Sequence, residues 1–170
     1  MPATFTPIAT HTVTSASNAI DFQNISQSYT HLYVLCNFKS AAPSAGVDYY
    51  MQLNGSIGDH YTVIQSFTTS SRSSSRRDGT ANAQLFYLQL GSTAGGVTTG
   101  QIWLPYYRDS SSKRNYQVRG GQANRETSSM SGFFNSTAAI NRIKFLSDPN
   151  PANAYFAVGS SCTIFGLLEA

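Results

Sequence analysis

Between Thr30 and Lys39 the chain reads THLYVLCNFK, and Leu32, Val34, Cys36 and Phe38 fall on every second residue. A period of two puts all four on one face of an extended strand, whereas a helix would scatter them around its axis. The alternation returns in DYYMQLN (48–54), where Tyr49, Met51 and Leu53 alternate with Tyr50 and Gln52. HYTVIQSFT (60–68), AQLFYLQL (83–90), NYQVR (115–119) and SSCTIFGLL (160–168) read as further strands. In AAINRIKFL (138–146), Ile143 and Phe145 face away from Arg142 and Lys144. QIWLPYY (101–107) is a strand interrupted by Pro105, which points to an edge position or a strand end.

Turn-formers separate these runs. A Pro/Ser/Gly loop covers 41–46, and Asn54-Gly55 is a strong turn signal. Residues 70–79 gather five serines, three arginines and Asp78-Gly79, which reads as a long exposed loop. A glycine-containing loop over 95–100, a polar turn over 109–113, a small polar stretch over 120–131 and a stiff Asp-Pro-Asn-Pro turn at 148–151 complete the set. No segment keeps a 3.6-residue apolar period. About seven to nine short strands at near-regular spacing predict an all-β chain, a single jelly-roll-like β-sandwich with little or no helix. Residues 1–18 are expected to form an N-terminal arm or first strand and 19–170 the sandwich domain.

Composition supports one such domain and narrows its surroundings. The 170 residues are 41% hydrophobic and 12% aromatic, enough for one packed core, but only 11% charged. An average soluble domain carries about 25% charged residues, so this surface is built from Ser, Thr, Asn and Gln instead. Such surfaces suit secreted proteins and components of particles. The first 71 residues set Lys39 against Asp21, Asp48 and Asp59 (net −2), whereas 72–144 is the basic part of the chain. That region could meet a polyanion or an acidic protein face, but no compact basic run points to nucleic acid. No stretch of about 18 apolar residues predicts a membrane span, and Met1 to Thr12 lacks the features of a secretory signal.

His11, His31 and His60 read as surface or strand-end residues, and no GxSxG elbow marks a nucleophilic serine. The acids sit mostly in turns beside Gly, Asn or Ser, where backbone bonding is their ordinary role. Gly91 to Gly100 lacks the Lys-Ser/Thr ending of a phosphate loop. Cys36 and Cys162 lie in strand-like runs and read as buried thiols, with a disulfide between them left open by spacing alone. No CxxC or HxxxH pair offers metal ligands. The expectation is a chain that is not an enzyme, with no cofactor and no metal.

A binding surface is the better candidate. Trp103, Tyr106 and Tyr107 stand beside Arg108, Lys113 and Arg114, the aromatic-plus-arginine mixture of interface hot spots. Arg72, Arg76 and Arg77 add cations on the serine-rich segment.

Several stretches resemble a group of small virion proteins of tailed phages, especially those of cyanobacterial and marine bacterial hosts. The opening TFTPIATHTVTSASNAIDFQNISQSYTHLYV carries the likeness through Ile20 to Phe22 and Tyr29 to Leu32. MQLNGSIGDHY (51–61), IWLPYY (102–107), NSTAAINRI (135–143) and CTIFGL (162–167) are similar to the group's turn, strand-ending and terminal segments. The chain departs from the group at Phe133-Phe134 and in the Ser/Arg-rich stretch from Ser70 to Arg77. The resemblance implies a jelly-roll-like protein on the outer surface of the virion, assembled in the host cytoplasm. The first expectation from it is a capsid decoration or cement protein, a homotrimer contacting the major capsid protein. The alternative is a tail-fibre or baseplate head, contacting tail proteins and binding a host-surface glycan.

Overall fold

Each alternating run has one apolar face to hide, and two sheets hide those faces against each other. The computed structural model describes residues 5–41, 47–56, 60–68, 72–80, 83–88, 97–122, 126–147 and 155–169. Of 47–48, of the strands within 60–88, and of 126 and 128, the backbone alone is described. The strands are β1 (Thr6–Thr12), β2 (Ala19–Phe22), β3 (His31–Lys39), β4 (Val47–Leu53), β5 (His60–Thr68) and β6 (Arg72–Thr80). They continue as β7 (Ala83–Leu88), β8 (Val97–Leu104), β9 (Arg114–Gln122), β10 (Glu126–Phe134), β11 (Ile143–Ser147) and β12 (Ser161–Leu167). The described residues include no helix. An eight-stranded sheet in the order β1-β12-β3-β8-β9-β10-β5-β6 packs on a four-stranded sheet in the order β2-β11-β4-β7. Every pairing is antiparallel, and the architecture is a β-sandwich.

The chain crosses between the sheets at every step except β5→β6, β8→β9 and β9→β10. The pairs β5–β6 and β9–β10 stay in the large sheet and widen it. Without those two pairs, the order β1-β12-β3-β8 faces β2-β11-β4-β7.

Ring contacts tie the layers together. Phe38 of the large sheet lies 5.0 Å from Tyr49 and 5.6 Å from Phe145 of the small one, between centroids. Phe156, in an isolated bridge to both Ser17 and Ser40, packs 4.9 Å from Phe38 and stacks on Tyr49 at 5.1 Å. All four rings are buried, each full burial stabilising the fold by roughly 1.5–3 kcal/mol. Cys36 and Cys162 face each other across β3 and β12 as free, buried thiols, with their Sγ atoms 3.4 Å apart.

The alternation in β3, β4, β11 and β12 is as expected: Leu32, Val34, Phe38, Met51, Leu53, Phe145 and Ile164 all point inward. Asn54 (φ 54°) and Gly55 (φ 68°) make the turn after β4 with two left-handed residues, the conformation an Asn-Gly pair takes most easily. Pro105 closes β8, which is an interior strand, so the strand-end alternative holds and the edge alternative does not. Three expectations need correction. Residues 72–80 are a strand, β6, rather than a loop. Residues 126–134 form β10, whose first six residues lie in the stretch read as small and polar. Residues 97–100 belong to β8 rather than to a glycine loop. The stiff turn expected at 148–151 lies outside the described residues.

Candidate functional site

The turn joining β8 to β9 divides the expected patch in two. Tyr107 is fully buried; its phenol donates to the Ser26 carbonyl, and its own carbonyl accepts from the Ile140 N–H at 2.8 Å. Arg114 is only 2% exposed, its guanidinium donating to the Thr137 carbonyl at 3.2 Å and lying 3.8 Å from Asp109. These two residues, read from sequence as surface contacts, are internal anchors, because Arg114 shares the inward parity of Tyr116 and Val118.

What the anchors hold projects outward. Tyr106 is 49% exposed and left-handed, with φ 47°, a conformation that costs a non-glycine residue ~1–2 kcal/mol. Its N–H donates to Nδ1 of His31 at 3.0 Å, its carbonyl accepts from the Asp109 N–H at 3.0 Å, and its phenol donates to Glu169 at 3.1 Å. That bond to the Glu169 carboxylate pushes the Tyr106 pKa up, whereas burial does the same for Tyr107. Arg108 reaches the Gln27 carbonyl at 3.3 Å and stays exposed, as does Lys113. Asp109 is held down to about 2 by the Ser111 hydroxyl, the Ser111 N–H and the Ser112 hydroxyl. The turn is therefore a fixed tip carrying one aromatic and two cations. Arg72, Arg76 and Arg77 lie on β6, the edge strand of the large sheet, and their side chains are outside the described residues.

Trp103 belongs elsewhere. It points to the outer face of the large sheet, where registers align side chains across the strands. Phe165, Tyr33, Trp103, Gln117 and Ser131 form one cross-strand row. Thr163, Leu35, Gln101, Arg119 and Ser129 form the next. Phe5 sets its ring edge-on to Tyr33 at 5.6 Å and to Phe165 at 6.3 Å. One side of this face is thus aromatic, and the other carries amides and hydroxyls.

Where the two meet, Gln101, Trp103, Gln117 and Arg119 line an open groove of about 200 Å³. The four are two adjacent cross-strand pairs, Trp103–Gln117 and Gln101–Arg119. Tyr33 donates from its phenol to Oε1 of Gln101 at 2.6 Å, which fixes that amide, and the His31 ring braces Trp103 at 5.1 Å. Sequence reading found Trp103 but missed Gln101, Gln117 and Arg119; their shared parity, opposite to Ile102 and Val118, was the available signal. Among the described residues, no group of three or more His, Cys, Asp or Glu is placed to hold a metal ion. Compared with known proteins, the chain matches no family model and no curated protein.

Proposed function

We propose that this chain is a non-enzymatic structural protein of a tailed-phage virion, a jelly-roll β-sandwich seated as a cement protein on the capsid surface. Three copies associate, and the partner is the major capsid protein. The facing orders β1-β12-β3-β8 and β2-β11-β4-β7 support the jelly-roll reading, since they are the wrapping of an eight-stranded roll with two inserted strand pairs. The observation that carries the cement reading is the tip on which Tyr106 and Arg108 are held by hydrogen bonds, with Lys113 exposed beside them. A contact surface whose geometry is set in advance loses little freedom on docking, and aromatic and arginine side chains dominate such contacts. The tip presents Arg108 and Lys113 beside the Glu169 carboxylate, and the two exposed cations suit acidic groups on a shell surface.

Cryo-EM of purified virions tests this directly. Density repeated over the shell at local three-fold positions is expected, with a double R108E/K113E chain failing to decorate particles that lack the protein. Absence from the particle, or density confined to the tail, overturns it. The groove on the sheet face favours a second reading, a particle-borne head that binds a host-surface glycan.

A further inference from the structure

We propose that the groove formed by Gln101, Trp103, Gln117 and Arg119 is a subsite for a carboxylate-bearing sugar, a uronate unit of an acidic polysaccharide. The inference deepens the glycan reading of the same groove and depends on it. Four features converge. An aromatic ring offers a π-face to the C–H face of a sugar ring, and Trp103 packs against the His31 ring at 5.1 Å. Gln101 keeps its amide N–H groups unengaged among the described residues, because its oxygen is the atom Tyr33 occupies. Gln117 sits beside Trp103 with a second amide, and Ser131 and Ser129 follow on the next strand with exposed hydroxyls. Arg119 is exposed and has no ion pair among the described residues, and the groove contains no carboxylate to neutralise it.

Each element matches one part of the ligand. Hydroxyl groups need donors and acceptors at several angles, which two amides supply. A carboxylate needs the planar fork of a guanidinium, and a lysine there would not give the same two-point contact. The volume, about 200 Å³, is below the ~300–1,000 Å³ of drug-sized sites and suits a single ring. An open groove with one ring-sized contact binds weakly, about 1 mM for one unit. Several chains on one particle would raise the apparent affinity for a repeating polymer through linkage.

Trp103 is the one tryptophan of the chain, so its fluorescence reports on the groove alone. The test titrates the purified full chain with oligogalacturonate, and separately with the carboxyl-reduced form of the same oligosaccharide, at 150 mM salt. A saturable change in Trp103 emission with the acidic form, at least ~10-fold weaker with the reduced form, is expected. R119Q should remove the preference between the two sugars while keeping the near-ultraviolet circular dichroism of the parent. W103F should keep part of the binding, read by backbone amide shifts in NMR. No saturable response to either sugar overturns the proposal. So does an equal response to both sugars, or a response reproduced by dextran sulfate. The chain's presence on virions is measured separately, so failure of the groove and failure of the virion reading cannot be confused.

Discussion

At one end of the sandwich Phe38, Tyr49, Phe145 and Phe156 hold the layers by ring contact, whereas at the other the joints are polar. There Asn54 donates to the Ala139 carbonyl at 2.9 Å and accepts from the N–H of Asn141 at 2.9 Å and of Arg142 at 3.3 Å. Tyr107 and Arg114 tie the β8–β9 turn to the same region. Close packing tolerates changes of pH and salt but not of volume. Hydrogen-bonded loops fix the direction of individual side chains, and they depend on charge state. The aromatic end supplies stability, and the polar end supplies a surface with a defined shape. The proposed contact residues all lie at the polar end or on the sheet face beside it.

The contrast can be broken first at the aromatic end. F156A removes a ring touching both sheets and is expected to cost ~3–5 kcal/mol in urea unfolding, with no dependence on pH between about 4 and 8. A loss below ~1 kcal/mol would mean that the rings do not carry that end. G132A comes next. Gly132 lies opposite Tyr116 on the inward face, and the Tyr116 ring occupies the space a Cβ would need. Overpacking of ~1–3 kcal/mol is expected, and a smaller side chain in Y116L should recover part of it in the double variant. Additive losses would show that the two positions are not coupled.

At the polar end the handle is acid. Asp109 titrates at about 2 in the fold, and near 3.9 in an unfolded chain. A depressed carboxylate stabilises above its unfolded value and loses that contribution as pH falls through the folded one. The melting temperature of the parent should therefore exceed that of D109N above about pH 4, and the gap should narrow toward pH 2. A gap unchanged across that window would exclude Asp109 as a charged brace of the turn. The smallest effect is expected from Y106G, which relieves the left-handed strain and changes stability by no more than about 1 kcal/mol in either direction. Particle binding should fall nonetheless, because the exposed ring is lost. A variant that decorates as well as the parent would remove Tyr106 from the contact.

The sequence made β3, β4 and β12 readable because their inward residues are large and apolar. β6, RSSSRRDGT, shows no such alternation; it pairs with β5 alone at the sheet edge. β10 hides its pattern in a different way. Met130 and Phe134 point inward, but the position between them is Gly132, left empty for the ring of Tyr116 on the neighbouring strand. A single strand cannot reveal that its missing side chain is supplied from across the sheet. Tyr107 and Arg114 were misplaced for a related reason. Their polar heads suggest solvent, yet Arg114 follows the parity of Tyr116, and Tyr107 finds the Ser26 carbonyl only through a fold-level contact. Trp103 was legible as a candidate; its groove was not, since Gln117 and Arg119 reach it from another strand.

The position of β12 has a consequence for biosynthesis. It lies between β1 and β3, so Cys162 meets a partner 126 residues earlier in the chain. During translation β1 and β3 emerge first and wait with open strand edges until nearly the whole domain has left the ribosome. Such order favours slow, late folding and exposes those edges to pairing with other nascent copies. A protein made in many copies at once would then depend on the cell's chaperones during that interval, and slower expression, which lowers the number of waiting copies, should raise the soluble yield.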